Sequence, residues 1–346
     1  MRCPFCYSVT AREGTTEQDQ SVLRAFVDRN HVYIDSINYG TGENTLSKNW
    51  FALLKYVRSS YPDVGQALTT NGYLGPALQQ RPDADAILAA LDEVDISLDY
   101  ADPIEHARGR GHPDAYQWAR ATIDVCRSAG IPTTLVVLGI DQTLARDNLA
   151  PIFELALQHG SFVRINIFRP NHGQACAALS YVVLKQALRF IVETQTIVSL
   201  SDPLFSALIA GERAPDGSGR TSLRILPDGS ITPSTYLVTD RWKRAHIQDA
   251  DLDDPKLRAG LSLDISSEII PKACAACRYV ELCRGGAIDR RIIWHGTLER
   301  RDPYCPLEND DSLDSWRSFG TIQQVNGPHI HDGYLPTLIF GPSGLP

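Results

Sequence analysis

The sequence predicts an α/β fold built on a parallel sheet, and three observations support this. From residue 32 to about residue 170, segments with strand character alternate with segments of helical apolar spacing, and the connections are short. With 346 residues, of which 43% are apolar, the chain can bury one large core or two modest ones. No stretch reaches the roughly 18 uninterrupted apolar residues that a membrane-spanning helix needs.

The elements follow one another in a regular order. The segments with strand character are residues 32–39, 65–70, 94–98, 133–138 and 162–168. The helical segments between them are residues 49–60, 84–91, 115–128 and 149–157. In the first helix, Trp50, Leu53 and Val57 fall on one face. Such alternation predicts parallel strands with helices outside, so ligands are expected at the carboxyl ends of the strands.

The net charge and the cysteines limit which partners and which cellular environment are expected. The net charge of −8 argues against binding to nucleic acid by bulk electrostatics. Neither a signal peptide nor a long apolar stretch is visible in the printed sequence, so a membrane is not expected as a partner. Because of the charge, nucleic acid is not expected as a partner either. Six of the eight cysteines fall into two groups near the ends of the chain. This clustering predicts metal sites in a reducing, cytoplasmic environment rather than a disulfide scaffold.

The first cysteine group is Cys3-Pro-Phe-Cys6. Alone, a pair with this spacing fits a redox dithiol, half of a zinc site or two unrelated thiols. The second group is Cys274, Cys277, Cys283 and Cys305. Four thiolates suit a tetrahedral zinc ion as well as an iron–sulfur cluster. Cys126, on a predicted helix, is expected to be a small buried apolar residue.

Polar residues follow several strands at the point where each strand ends. Gly40-Thr41-Gly42-Glu43 follows the strand ending at residue 39, and Thr70-Asn71-Gly72 ends the next one. Both also fit ordinary turns. Ser97 and Asp99 alternate with apolar neighbours, so both are expected to point toward the inside of the sheet. Arg110 follows, and it also fits a surface arginine.

Taken in order, these elements resemble the radical S-adenosylmethionine (radical SAM) family, whose fold is a partial (β/α)6 TIM-like barrel. On this resemblance Cys3 and Cys6 are the last two cysteines of a C-x3-C-x2-C loop, with the aromatic Phe5 before the last one. The first cysteine of that loop would then lie two residues before Met1, so the printed chain would begin inside the loop. The resemblance implies a [4Fe–4S] cluster on this loop with one iron open to S-adenosylmethionine.

The resemblance also implies roles for the residues at the strand ends. The segment with Gly40, Gly42 and Glu43 would hold the amino group of the methionine, with Glu43 as its charged partner. Ser97 and Asp99 would face the ribose and carboxylate of the cofactor, or the substrate. Arg110 would pair with the methionine carboxylate.

The C-terminal cysteines resemble the auxiliary-cluster region called SPASM. A Pro-Asp-Gly turn in residues 226–234 predicts its opening hairpin. Ser234 and Ala287 stand where that family has cysteines for a first auxiliary cluster, so this cluster is expected to be lost. The resemblance implies that the four C-terminal cysteines hold one auxiliary [4Fe–4S] cluster. The expected domains are residues 1–215, the barrel, 216–310, the cysteine-rich iron–sulfur domain, and 311–346, a tail.

The implied reaction is reductive cleavage of S-adenosylmethionine to a 5′-deoxyadenosyl radical, which abstracts hydrogen from a C–H bond. The expected substrate is a ribosomal peptide that becomes crosslinked, dehydrogenated or epimerised, and the expected electron donor is a flavodoxin or ferredoxin. Cys176 could donate a hydrogen atom, or it is another buried cysteine. Two alternatives stay open: a small natural product such as an aminoglycoside as substrate, and a degenerate scaffold without catalysis.

Overall fold

The computed structural model describes Met1 and residues 3–6, 18–40, 42–170, 178–262, 269–316, 330 and 335–342. Ten strands lie in these ranges. They are β1 Ser36–Tyr39, β2 Gly65–Thr70, β3 Glu93–Ser97, β4 Thr133–Gly139, β5 Phe162–Ile167, β6 Thr196–Leu200, β7 Arg224–Ile225, β8 Ser230–Thr232, β9 Ala245–His246 and β10 Leu338–Gly341. Seven of them form one sheet in the order β1-β2-β3-β4-β5-β10-β6.

The sheet is parallel apart from one strand. β1 to β5 pair in sequence order, each parallel to the next. β10 pairs antiparallel with both β5 and β6, so β6 runs in the same direction as β5. The carboxyl ends of the six parallel strands therefore face the same side of the sheet. This arrangement confirms the predicted partial barrel of parallel strands.

Helices cover the outside of the sheet, and the last three lie in the cysteine-rich region. They are α1 Gln20–Asn30, α2 Lys48–Ser60, α3 Leu74–Leu78, α4 Ala84–Leu88, α5 Pro103–Arg110, α6 Ala115–Ser128, α7 Arg146–His159, α8 Tyr181–Thr194, α9 Pro203–Phe205, α10 Pro255–Ser262, α11 Val280–Cys283 and α12 Ile288–His295. Local sequence explains several starts: the Ser47 side chain caps α2, and Asp102 caps α5 with proline at its first turn.

The two faces of the sheet differ in polarity. Ile96 and Leu98 pack in one continuous apolar core with helix residues such as Leu54 and Ile123. On the opposite face, Asp95 of β3 forms a buried ion pair with Arg164 of β5. Side chains alternate along a strand, so the outward face is the hydrophobic one and the inward face carries polar groups.

Three segments differ from the sequence prediction. The predicted strand 32–39 is shorter in the structure, because Ile34 N donates to His31 O and closes a turn of 3-10 helix before β1. The strands predicted from the sequence end at residue 168, but β6 adds another parallel strand. The expected tail from residue 311 contains β10, whose buried Ile339 and Phe340 lie within the sheet.

The cysteine-rich region begins with a small antiparallel sheet. β7, β8 and β9 form it, and the predicted Pro-Asp-Gly turn joins β7 to β8. Gly229 adopts φ 83° in this turn, a conformation that favours glycine. In the part of the chain that the structure describes, no helix is long and apolar enough to cross a membrane.

Candidate active site and cysteine cluster region

The Cys3–Cys6 loop rests on the C-terminal end of α5. Cys6 N donates to Cys3 O at 3.2 Å, which closes the loop into a turn. Cys3 Sγ lies 3.5 Å from the carbonyl oxygen of Arg110, and the Phe5 ring centre lies 5.3 Å from the Arg110 guanidinium carbon. Burial raises the pKa of the Cys3 thiol, and the Arg110 charge opposes this effect. The predicted loop and the predicted arginine are therefore neighbours.

Asp99 and Arg110 form a buried ion pair beneath this loop. Arg110 Nε lies 2.6 Å from Asp99 Oδ2, and the two side chains are 10% and 1% exposed. The other carboxylate oxygen of Asp99 accepts from Leu138 N at 2.9 Å. The family resemblance implies that Asp99 faces the cofactor or the substrate and that Arg110 pairs with the methionine carboxylate. The structure pairs them with each other, and their contact with the cofactor stays a prediction.

Ser97 is the last residue of β3 and lies on the polar face of the sheet. It is half-buried, whereas its neighbours Ile96 and Leu98 are fully buried in the outer core. Ser97 pairs in register with Val136, and the Asp95–Arg164 ion pair lies two residues below it on the same face. The inward orientation expected from the alternation of the sequence agrees with this packing.

Glu43, which follows β1, forms several hydrogen bonds within the protein. Its carboxylate accepts hydrogen bonds from Thr45 Oγ1 at 2.6 Å, Thr70 Oγ1 at 2.9 Å and Asn71 N at 2.8 Å. Burial raises the pKa of Glu43, and these hydrogen bonds oppose the rise. The sequence predicts a charged partner for an ammonium group. The structure shows a carboxylate already engaged in holding the turn after β2.

The turn at Asn71-Gly72 connects β2 to the helical layer. Gly72 adopts φ 102°, and a Cβ atom there would lie 2.5 Å from Ala119 N of α6. Thr122 Oγ1 donates to Gly72 O at 2.5 Å and accepts from Gly75 N at 2.8 Å. The glycine is therefore required by close packing of the turn against α6 as well as by its conformation.

A cavity of about 1770 Å³ runs along β1 and reaches three of the predicted cofactor residues. Gly40, Gly42 and Glu43 line it at the carboxyl end of β1. Its opposite wall comes from residues 219–227 at the start of the cysteine-rich region, with α1 and α10 at the sides. The cavity has room for a ligand beside the backbone of Gly40 and Gly42. Nothing in the sequence signals that segments this far apart form its walls.

The four C-terminal cysteines lie in one neighbourhood. Cys277 N donates to Cys274 O at 2.8 Å, and Cys274, Cys283 and Cys305 are buried while Cys277 is half-buried. Burial raises the pKa of Cys283 to about 11 and that of Cys305 to about 12, and neighbouring cysteines add to both shifts. Within the described ranges, no three His, Cys, Asp or Glu residues come together as ligands for a single metal ion. By type and number, the thiols of these four cysteines are the donor set that a [4Fe–4S] cluster uses.

Ser234 and Ala287, which stand where the family has cysteines, each form a hydrogen bond within the protein. Ser234 is buried, and its Oγ accepts from Tyr236 N at 3.4 Å. Ala287 is fully buried, and its N–H donates to Asp302 Oδ2 at 3.0 Å. A serine hydroxyl and an alanine are unsuited to iron–sulfur ligation, so these positions agree chemically with the expected loss of the first auxiliary cluster.

Buried ion pairs connect the cysteine-rich region to the barrel. Arg290 lies 2.5 Å from Asp202, just after β6, and 2.6 Å from Asp302. Arg169, just after β5, lies 2.6 Å from Asp289 at the start of α12. This network could not be predicted from the sequence, because its paired residues are up to 120 positions apart and individually resemble surface charges.

Other predicted residues have simpler outcomes. Cys126 is fully buried on α6, and burial raises the pKa of its thiol to about 12, as expected for a small apolar residue. Cys176, the predicted hydrogen donor, lies outside the described residues, as does Thr41.

Comparison with known proteins defines the class. Residues 1–150 match the family model described as the radical SAM superfamily, so this part of the chain is a radical SAM domain. The protein is therefore an enzyme of the radical SAM type, a class that uses a [4Fe–4S] cluster with S-adenosylmethionine.

Individual relatives extend the match beyond that domain. The mycofactocin maturase MftC of Mycolicibacterium smegmatis is 24% identical over 324 residues, which cover 88% of this chain and 79% of the maturase. The anSMEcpe structure with bound AdoMet and Kp18Cys peptide has a TM-score of 0.67 at 16% identity, covering 91% of this chain and 92% of that one. Streptococcus suis SuiB bound to S-adenosylmethionine has a TM-score of 0.64 at 16% identity, covering 88% and 73%. These two likenesses confirm the fold.

Proposed function

We propose that this enzyme modifies a ribosomally made precursor peptide by abstracting hydrogen from one of its C–H bonds. The observation that carries the proposal is the similarity to a maturase over 324 residues, because it includes both the radical SAM domain and the cysteine-rich region. Two solved structures with the same fold are of complexes with peptides, one of them SuiB with the precursor peptide SuiA. The product would be a crosslink, a dehydrogenated residue or an epimer.

Cys3 and Cys6 would supply two thiolates of the radical cluster, and the contacts of Cys3 and Phe5 with Arg110 would hold the loop against α5. The buried Asp99–Arg110 pair would fix the position of that loop, because a paired guanidinium keeps one orientation. When bound, the cluster and S-adenosylmethionine together supply hydrogen-atom abstraction, and the protein supplies orientation and exclusion of water.

The strand ends would hold the cofactor within the cavity along β1. Gly40 and Gly42, which line the cavity, would allow close approach of the backbone. Ser97, which lies outside the cavity lining, would present a hydroxyl from the inward face of β3. Glu43 would act indirectly, since its hydrogen bonds to Thr70 and Asn71 hold the neighbouring turn. This arrangement assigns binding to backbone and hydroxyl groups and positioning to the carboxylate.

One auxiliary cluster would complete the enzyme. We assign it to Cys274, Cys277, Cys283 and Cys305, and we assign residues 1–215 and 216–310 to the two functional domains. β10, from residue 338 onward, would belong structurally to the first domain because it lies in its sheet. Four thiolates leave no open iron, so this cluster would transfer electrons or stabilise the fold.

The proposed chemistry also implies a cellular environment and an electron donor. The cysteines that the structure describes are thiols rather than disulfides, which suits a reducing cytoplasm. A low-potential donor such as a flavodoxin or ferredoxin would deliver the electron to the radical cluster.

The test is an assay of the anaerobically reconstituted enzyme with S-adenosylmethionine, dithionite and the short peptides encoded beside its gene. We expect release of 5′-deoxyadenosine together with a peptide that has lost two hydrogens or gained solvent deuterium. Cys6→Ala should abolish both signals, whereas Cys126→Ala, a matched change at a buried cysteine on α6, should leave them. Cleavage of S-adenosylmethionine with every peptide unchanged would contradict a peptide substrate.

A further inference from the structure

Arg291 is a buried cation in the cysteine-rich region that lacks an acidic partner. It lies on α12 and is 2% exposed. Its guanidinium donates to three carbonyl oxygens, those of Arg300 at 2.9 Å, Ile269 at 3.0 Å and Arg284 at 3.4 Å. Within the described part of the chain it forms no ion pair with a carboxylate. Its electrostatic neighbour Asp302 is instead engaged by Arg290.

Burying a guanidinium without a counter-ion is costly. Burial lowers the pKa of Arg291, and after Asp302 the groups that oppose this shift are Cys274 and Cys283. Arg291 lies beside the cysteines, because it donates to the carbonyl oxygen of Arg284, the residue after Cys283. The carboxylates near it, Asp302 and Asp216, are engaged by Arg290 and by Ile288 N. The thiolates of a bound cluster would be a further negative group beside Arg291.

Arg301 is a second cation beside the same cysteines, because it contacts Ala273, the residue before Cys274. Its terminal nitrogens contact Ala273 O and, at 3.4 Å, Glu308 Oε1. Its Nε is buried and has no hydrogen-bond partner among the residues described. Arg301 is also the first among the groups that lower the pKa of the Cys274 thiol, against the larger effect of burial. A buried N–H beside a cysteine can donate to its sulfur once that sulfur is a thiolate.

We propose that Arg291 and Arg301 are the counter-charges of the auxiliary cluster and raise its reduction potential. A cluster with four thiolates is negative, and one-electron reduction adds one more negative charge. Nearby cations and N–H donors to sulfur therefore stabilise the reduced form more than the oxidised form. The inference rests on the auxiliary cluster of the proposed function, and it makes that cluster a ready acceptor for an electron from the substrate.

The experiment isolates the auxiliary cluster by using the full-length Cys3→Ala/Cys6→Ala protein, reconstituted anaerobically. The midpoint potential is measured by titration with dithionite and redox mediators, followed by electron paramagnetic resonance. In this background, Arg291→Gln and Arg301→Gln should each shift the midpoint to a more negative value, and Arg291→Lys should shift it less than Arg291→Gln. The matched control is Arg300→Gln, because that side chain also pairs with Glu308 but is 59% exposed.

Unchanged midpoints in both arginine variants, or an equal shift in Arg300→Gln, would overturn the inference. If Arg291→Gln prevents folding or cluster assembly, Arg301→Gln and Arg291→Lys decide between the outcomes. Failure of the cluster assignment is distinguishable, since the background protein would then bind zinc or no metal before any arginine is changed. That result would overturn both proposals, whereas unchanged potentials in iron-loaded variants would overturn this one alone.

Discussion

At the scale of single residues, the region under the Cys3–Cys6 loop contains a histidine held neutral by its surroundings. His106 is fully buried on α5, and its Nδ1 accepts from Asp99 N at 3.2 Å. Burial lowers the pKa of His106 to about 4, and the charge of Arg110 contributes in the same direction. The imidazole therefore orients the backbone of Asp99 without adding a second positive charge beside Arg110.

This neutrality predicts a specific pH dependence of stability. The folded pKa of about 4 lies below the usual value of 6.5, so protons bind more readily to the unfolded chain between these values. Stability from this group is complete above about pH 6.5 and is lost as pH falls through the folded pKa. Relative to His106→Asn, the wild-type free energy of unfolding should fall by roughly 2 kcal/mol between about pH 7.5 and about pH 5. Urea unfolding measures it, and parallel pH profiles would contradict it.

Residue types at the site were predictable from sequence, but their partners were not. Glu43, Asp99 and Arg110 were identified from strand-end positions, and the structure brings all three to that end of the sheet. Each engages a protein group that sequence spacing does not indicate, for example Thr70, which is 27 residues from Glu43. A buried carboxylate takes whatever donors the fold places beside it, and that choice is made in three dimensions.

At the scale of elements, local patterns predicted most of the barrel. The bounds of β2 and α6 are as expected, because strong apolar periodicity and clear turn residues define both. β10 could not be found in this way. Its partners in β5 and β6 are far away in sequence, and its neighbours in the chain are rich in proline and glycine, which are typical of a tail.

The turn at Gly72 gives a prediction at this scale. Gly72→Ala would place a Cβ 2.5 Å from the backbone of α6 at a residue with φ 102°, so it should destabilise the fold by roughly 3 kcal/mol or more. The matched control is Gly130→Ala, which has φ 71° but no atom within 4 Å of the added Cβ. It should cost only about 1 kcal/mol. Equal losses in thermal or urea unfolding would show that the contact with α6 is unimportant.

At the scale of the whole molecule, buried charges join the cysteine-rich region to the barrel. Arg290 links Asp202, after β6, to Asp302, three residues before Cys305. Arg169 likewise links β5 to α12 through Asp289. Buried pairs of this kind are directional, so they fix how the cysteine-rich region sits on the carboxyl ends of the strands. The radical SAM domain and the proposed auxiliary cluster therefore form one assembly rather than two independent units.

The central claim is that the protein holds two [4Fe–4S] clusters with separate functions. The most direct test measures iron, sulfide and zinc in the anaerobically reconstituted protein as its gene encodes it, together with release of 5′-deoxyadenosine. We predict about eight irons per chain. Cys283→Ala should remove about half of the iron and keep cleavage of S-adenosylmethionine, whereas Cys6→Ala should remove the other half and abolish cleavage. Bound zinc, about twelve irons, or iron content that Cys283→Ala leaves unchanged would contradict the account.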